Sequence, residues 1–292
     1  MTVGVLNVLK PPKMTSHDVI GFLRRVLNTK KIGHSGTLDP DASGVLPVFV
    51  GQATKLLEYA IEERKCYRAE ITFGMRTDSG DDSGVVLEQR ACPQITEQLL
   101  QNTLQGFVGA GKQIPPMYSA VKVNGRPLYK LARQGIEIER APRDIYIYAL
   151  RLLDFTPQAC VLEIECSKGT YIRTLLEDIC KRMDAIGTMS FLLRLSVGAF
   201  KIEQAVTLQE IEQEPMRYLI PAESVVTQLP ELQLSEKQAW RITQGVKTTI
   251  AGTTDGLYRL KGTDGAFYGI GKAEAEIVKP EKLLQQAPKP LE

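Results

Sequence analysis

Residues 33–51 read GHSGTLDPDASGVLPVFVG. The front of this stretch, within KIGHSGTLDPDASG at 31–44, has the composition of a loop, with Gly33, Gly36 and Gly44 allowing backbone to approach a ligand closely. Its back half, GVLPVFVG at 44–51, is an apolar run of the kind that fills a core. Between the two stands Asp39, followed by Pro40. A residue before proline is driven toward extended backbone, which limits where the Asp39 carboxylate points. His34 is suited to stack on a ring or donate a hydrogen bond. On residue types alone the same stretch reads more readily as a turn closed by an Asx-type hydrogen bond. GHSGT around Ser35 is not the G-x-S-x-G of a serine nucleophile elbow. A glycosidase would need two carboxylates at a set separation, which spacing along the chain does not supply.

Toward the N-terminus, residues 3–9 read as a strand ended by Lys10-Pro11-Pro12, and Ser16 is placed to cap a helix carrying Val19, Phe22, Leu23, Val26 and Leu27 at helical spacing. Toward the C-terminus, residues 66–73 alternate, with Tyr67, Ala69, Ile71 and Phe73 on one face, the signature of a half-buried strand. TDSGDDSG at 77–84 superficially resembles a calcium loop, but its acids are mis-spaced for an EF-hand, so a polar turn is expected. Residues 160–166 form another strand. SKGT at 167–170 turns the chain, with Thr170 expected to cap a helix that buries Ile172, Leu175, Leu176 and Ile179. A glycine turn leading into a helix N-terminus offers amide donors suited to a phosphate. Beyond Leu229-Pro230, short apolar runs alternate with turns at Gly245, Gly252, Gly256 and Gly265, as in a small β-rich unit. Residues 287–292 are expected to fray.

The chain has 292 residues, 43% hydrophobic and 24% charged, enough for a packed core in more than one domain. It holds no apolar stretch long enough for a membrane span and no signal-like N-terminus, so the cytoplasm is the expected location. Cys66, Cys92, Cys160, Cys166 and Cys180, odd in number and widely spaced, are expected as free thiols. With two histidines and no CxxC pair, a metal site has almost no ligands to draw on. Net charge is only +2, but its distribution is uneven. Residues 1–36 carry Lys10, Lys13, Arg24, Arg25, Lys30 and Lys31 against Asp18, and residues 110–135 carry Lys112, Lys122, Arg126, Lys130 and Arg133 with no acid. Such clustering suits a one-sided polyanion-binding face, although solvated surface reads the same way.

Taken together, NVLKPPKMTSHDV at 7–19, GHSGTLDPDASGVLPVFVG at 33–51, KCYRAEITFG at 65–74, PPMYSAVKVNGRPLYKLARQG at 115–135, CSKGTYIRTL at 166–175 and LLRLSVGAF at 192–200 resemble, in order, the motifs of the TruB family of tRNA pseudouridine synthases. They span roughly the first 200 residues, and the C-terminal part more loosely resembles a PUA domain, an RNA-binding module. The resemblance implies an α+β catalytic domain with a mixed, largely antiparallel sheet over 1–225, and a β-barrel-like PUA domain over 226–292. It implies that the T-loop uridine of tRNA known as position 55 is the substrate. Asp39 would be the essential aspartate, Arg173 its ion-pair partner, and Tyr67 would lie against the target base. Tyr171 and Leu192 would line the uridine pocket, His34 would touch RNA beside the flipped-out base, and Lys10 would support the loop. Lys122, Arg126 and Lys130 would meet the T-arm, with Tyr118 and Tyr129 offering rings to bases. No cofactor, no metal and no obligate protein partner are implied, and the enzyme would work as a monomer.

The chemistry suits those residue types. Pseudouridine formation breaks the N1–C1′ bond, turns the base and rejoins it through C5. A carboxylate could attack C6, act at C1′ as in retaining glycosidases, or assist loss of a sugar proton, and these routes stay open. Each needs Asp39 ionised, which a neighbouring guanidinium favours. Tyr67 is a candidate to take the C5 proton. A non-catalytic RNA-binding protein, an RNA-guided relative and a nucleoside hydrolase are the competing readings.

Overall fold

The computed structural model of the chain describes residues 2–61, 64–123 and 125–289. It opens with β1 (Gly4–Lys10) and α1 (Ser16–Val26), followed by β2 (Ile32–His34) and β3 (Ser43–Val50). Helix α1 starts one residue earlier than the sequence suggests. Thr15 is its cap, in a reciprocal capping box with Asp18, and Ser16 lies buried inside. β3 realises the apolar run and buries every residue from Gly44 onward. After α2 (Leu57–Ile61), β4 (Lys65–Phe73) carries the expected alternation, with Tyr67, Ala69, Ile71 and Phe73 inward. TDSGDDSG turns the chain between β5 (Met75–Thr77) and β6 (Val86–Gln89). Next come α3 (Glu97–Gln105), β7 (Gly109–Gln113), the two-residue strands β8 (Lys122–Val123) and β9 (Arg126–Pro127), and the single-turn helix α4 (Leu128–Ala132).

β10 (Arg143–Phe155) and β11 (Ala159–Cys166) lead into α5 (Ile172–Arg182), whose inner face buries Ile172, Leu175, Leu176 and Ile179. Thr170 does not cap α5. Its hydroxyl donates to Ser167 O at 3.0 Å and closes the turn, leaving Tyr171 as the cap residue without a side-chain bond. β12 (Gly187–Val197), β13 (Phe200–Lys201) and α6 (Leu208–Gln213) complete this part. One nine-stranded sheet, ordered β1-β3-β12-β4-β11-β10-β7 with β2 and β13 alongside, forms its frame. Every pairing in it is antiparallel except β12 with β3. The fold is therefore α+β with a mixed, largely antiparallel sheet.

The C-terminal part holds β14 (Glu231–Leu234), α7 (Glu236–Thr243), β15 (Thr248–Thr249), β16 (Gly256–Gly262), β17 (Phe267–Glu274) and β18 (Ile277–Leu283). Its strands make a curled five-stranded sheet, β14-β16-β17-β18-β15, closed by α7. The apolar core does not stop at residue 225: Val5, Phe49, Ala53 and Leu56 share one cluster with Val225, Val226, Ile270 and Leu284. The tail is more ordered than its composition suggests. Ala287 is buried and its amide donates to Thr243 Oγ1 at 3.1 Å, while residues 290–292 of the expected frayed end lie outside the described residues.

Candidate active site

Asp39 sits on the loop between β2 and β3, and three buried side chains pin that loop. Lys10, wholly buried at the end of β1, donates to Pro11 O, Met14 O and Pro40 O at 2.8, 2.6 and 3.1 Å. Its place in a basic surface face is therefore wrong. Its ammonium is spent on backbone carbonyls, and burial lowers its pKa to about 8. Ser16 receives the Leu38 amide at 2.9 Å and returns a hydrogen bond to Leu38 O at 3.2 Å. Arg194 on β12 donates to Gly36 O at 3.1 Å and Thr37 O at 3.4 Å. Leu38 and Ala42 anchor the same loop in the apolar cluster that holds Tyr67 and Leu192.

So held, Asp39 meets Arg173 from the first turn of α5. Arg173 Nε lies 3.1 Å from Asp39 Oδ2, and its Nη2 donates to Oδ1 at 3.3 Å, a two-pronged pair. The guanidinium is 6% exposed and the Asp39 side chain 35%, so the carboxylate opens outward while its partner is locked in. Arg173 also donates to Ser79 O at 2.7 Å and Tyr118 O at 2.8 Å, and Asp81 Oδ2 stands 3.7 Å from its Nε. Burial pushes the Asp39 carboxyl above the usual carboxylate range. Arg173 pulls it back, and the Asp81 charge pushes it up again.

Tyr67 on β4 and Leu192 on β12 lie on the same inner face, because Tyr67 pairs with Arg194 and Ala69 with Leu192. Burial raises the Tyr67 hydroxyl above the usual tyrosine value, while the positive charge of Arg194 opposes that rise. His34 ends β2. Its Nδ1 accepts the Gly36 amide at 3.3 Å, which leaves the proton on Nε2. Burial, His17 and Arg194 lower its pKa to about 4, so the ring stays neutral near pH 7. The His17 ring stands edge-on to it, 6.0 Å away.

Tyr171 is half-buried two residues before Arg173, and Gln113 of β7 clamps its backbone, accepting its amide at 2.8 Å and donating to its carbonyl at 3.0 Å. That bond occupies one of the amides the sequence offered to a phosphate. Lys122, Arg126 and Lys130 lie exposed on β8, β9 and α4, and none ion-pairs with a carboxylate among the described residues. No bond links these three to Asp39. Among the described residues the segment they belong to is hydrogen-bonded to the centre through Tyr118, whose carbonyl binds Arg173 and whose hydroxyl donates to Asp78 Oδ2 at 3.0 Å.

Three contributors escaped the sequence reading: Asp81, hidden in a run that reads as a polar turn; Arg194, one cation inside an apolar strand; and Gln113. The acid count in TDSGDDSG and the lone charge in LLRLSV were the only available signals. The five cysteines are unpaired. Among the described residues no cluster of three His, Cys, Asp or Glu is placed to hold a metal ion, and no helix is long and apolar enough to cross a membrane.

Comparison with known proteins bears on the whole chain. Residues 24–172 match the family model described as TruB family pseudouridylate synthase (N terminal domain), and residues 230–284 match Pseudouridine synthase II TruB, C-terminal. A tRNA pseudouridine synthase B of Caldanaerobacter subterraneus subsp. tengcongensis is 46% identical over 284 residues, covering 96% of this chain and 99% of its own. Another, of Heliobacterium mobile, is 41% identical over 293 residues, covering 97% and 95%. Among solved structures, the crystal structure of a Cbf5-Nop10-Gar1 complex superposes with a TM-score of 0.74 at 25% identity, over 97% of this chain and 85% of that one. An H/ACA RNP bound to a substrate RNA containing 2′-deoxyuridine gives the same TM-score at 24% identity, over 98% and 87%, a likeness of fold. Identity of this level, running almost end to end through both chains and through both family models, places this chain in the TruB family of pseudouridylate synthases.

Proposed function

We propose that the chain isomerises the T-loop uridine of tRNA, position 55, to pseudouridine, with Asp39 as the carboxylate that opens the reaction. The observation that carries this is the two-pronged Arg173–Asp39 pair on a loop pinned by Lys10, Ser16 and Arg194, beside Tyr67 and Leu192. A carboxylate crowded in this way would tend to take up a proton, and the guanidinium opposes that by favouring the charged form. The target must leave the RNA stack, at a cost of a few kcal/mol that pocket contacts offset. Tyr67 and Leu192 would face the flipped ring, Tyr171 would line its pocket, and neutral His34 would present an Nε2 donor to the RNA beside it.

The N1–C1′ bond breaks with Asp39 acting at C6, at C1′ or on a sugar proton. The base turns, C5 bonds to C1′, the C5 proton leaves toward Tyr67, and N1 gains one proton. Atoms and charge balance without oxidant, metal or cofactor. Lys122, Arg126 and Lys130 would hold T-arm phosphates. We read residues 1–225 as the catalytic unit and 226–292 as a PUA-like RNA-binding unit, in a monomer that acts in the cytoplasm without a protein partner.

The test is to incubate an unmodified tRNA transcript with purified protein and map pseudouridine by carbodiimide adducts and primer extension. A single new stop at the T-loop uridine is expected. Binding without a stop would favour a non-catalytic RNA binder, and release of free uracil would favour a hydrolase.

A further inference from the structure

The Arg173 guanidinium is itself gripped from behind. Its Nη1 donates to Ser79 O at 2.7 Å and its Nη2 to Tyr118 O at 2.8 Å, both shorter than the 3.3 Å from the same Nη2 to Asp39 Oδ1. The fork is planar, so two carbonyls on its outer nitrogens decide how the edge formed by Nε and Nη2 faces the carboxylate. Both carbonyls lie outside the nine-stranded sheet. Ser79 belongs to the turn between β5 and β6, and Tyr118 to the segment ahead of β8.

These two supports stand on different footings. The turn is seated on its neighbours. Met189 of β12 donates its amide to Gly80 O and accepts the Asp82 amide, both at 3.1 Å. At Gly80, φ +76°, a β-carbon would come 3.0 Å from Glu177 Oε1, so the turn lies directly against α5. Around Tyr118 the backbone bonds stay inside the segment: Ser119 donates its amide to Met117 O at 2.9 Å and accepts that of Tyr129 at 3.0 Å. The tie to the turn is the Tyr118 hydroxyl, which donates to Asp78 Oδ2 at 3.0 Å. Asp78 is aimed for this role, since its Oδ1 accepts the Val85 amide at 2.8 Å and its own amide donates to Val85 O at 3.0 Å. Asp78 and Ser79 are consecutive, so the contacts close into a ring. It runs from Arg173 Nη2 to Tyr118 O, from the Tyr118 hydroxyl to Asp78, along the chain to Ser79, and from Ser79 O back to Arg173 Nη1.

We propose that Tyr118 is a positioning residue for the reaction: its hydroxyl bond to Asp78 closes this ring, fixes the plane of the Arg173 guanidinium, and so keeps Asp39 paired and ionised. This deepens the pseudouridine synthase reading and rests on it. The charged groups facing Asp39 are Arg173 of α5, Asp81 of the turn and Lys10 of β1, with the Tyr67 phenol of β4 beside them. Around the Tyr118 hydroxyl stand Asp78, Asp81 and Arg133, and the bond to Asp78 holds its pKa above the usual tyrosine value, so it remains a donor at neutral pH.

Tyr118→Phe keeps the ring and removes the hydroxyl. Single-turnover pseudouridine formation on saturating tRNA should fall about tenfold, the scale of one lost hydrogen bond, while the tRNA Kd stays within about threefold. A looser guanidinium opposes the burial of Asp39 less well, so the acid limb of the pH profile should move to higher pH. Asp78→Ala should act alike, and the double variant should be no more than about twofold slower than the slower single one. A wild-type rate with an unmoved limb would overturn the proposal, and so would losses that multiply in the double variant. So would a Tyr118→Phe variant at full rate beside a Tyr118→Ala variant that no longer binds tRNA, which would give the ring to a base instead. Because Asp78→Ala could unfold the turn, a second measurement compares wild type with Tyr118→Phe only. In the free protein the Asp39 carboxyl resonance, identified by its absence in Asp39→Asn, should titrate at higher pH once the hydroxyl is gone. An identical midpoint would sink the coupling. That titration needs no tRNA, so a wild-type protein that makes no pseudouridine would defeat the functional reading while leaving the coupling separately measured.

Discussion

The loop that carries Asp39 and the segment 116–136 meet at Arg173, yet they are held in opposite ways. The loop rests on buried cations and a buried hydroxyl: Lys10 through three carbonyls, Arg194 through two of the loop's own, and Ser16 through both polar groups of the Leu38 backbone. The segment consists of two-residue strands and a single helical turn, and Ser119 and Leu128 are its only buried side chains among the described residues. The difference is one of when conformational entropy is spent. The loop's order is bought during folding, so its carboxylate is in place before RNA arrives. With few buried side chains, the segment is expected to open at lower free energy than the loop. Tyr118 joins the two, its carbonyl bound by Arg173 and its hydroxyl bound to Asp78.

The strongest way to break this comparison is at the loop's charge. Asp39→Asn keeps the shape and removes the charge of the carboxylate proposed to open the reaction, so single-turnover formation should fall on the order of 10⁴-fold or more while tRNA binding survives. Asp41, two residues on and paired at the surface with Lys13, should tolerate Asn with a rate within about tenfold. A tenth of the wild-type rate in the Asp39 variant would end the assignment.

Next in size is Arg173→Met, expected to cost about 10²–10³-fold in rate, the scale of losing one preorganised charged donor. The pH profile gives the sharper reading. The proposed reaction needs the Asp39 anion, whose pKa lies above the usual range, so the rate should fall as pH drops through it. Without the guanidinium that pKa climbs further, and the acid limb should move to higher pH. A limb that stays put, or moves to lower pH, would show that the pair does not govern Asp39 ionisation.

Stability separates the two regions at smaller scale. Lys10→Met strands three carbonyls and should lower stability by about 2–3 kcal/mol in denaturant titration. Lys130→Ala in the segment should stay within about 0.5 kcal/mol. Equal effects would erase the contrast. Smallest is the electrostatic share. Replacing Lys122, Arg126 and Lys130 together by Ala should flatten the slope of log affinity against log salt by about 0.7–0.9 for each true phosphate contact. An unchanged slope would mean that these cations point away from RNA.

The C-terminal part shows where reading by texture stops. Its alternating runs and glycine turns marked β16 and β17 but neither β14 nor α7, and the shared cluster of Val5, Phe49, Val226 and Ile270 is invisible to such a reading. A cut at Val225 would open that cluster, so any truncation assay needs a melting curve beside it.

Local pattern was enough for whatever depends on neighbours along the chain: the alternation that makes β4, the apolar run that makes β3, the proline that constrains Asp39, and the ordered motifs that identify the family. Even so, caps slipped by one residue at Thr15 and at Tyr171, because several side chains near a helix start compete for the same amides. The rest lay beyond local pattern. Asp39 and Arg173 are 134 positions apart, and Arg194 is 158 from the Gly36 carbonyl it holds. Whether a lysine such as Lys10 ends on RNA or under a loop depends on which strand pairs with which, and in what register. Strand pairing places the buried cations, and burial then decides whether each serves as a surface charge or as a brace for Asp39.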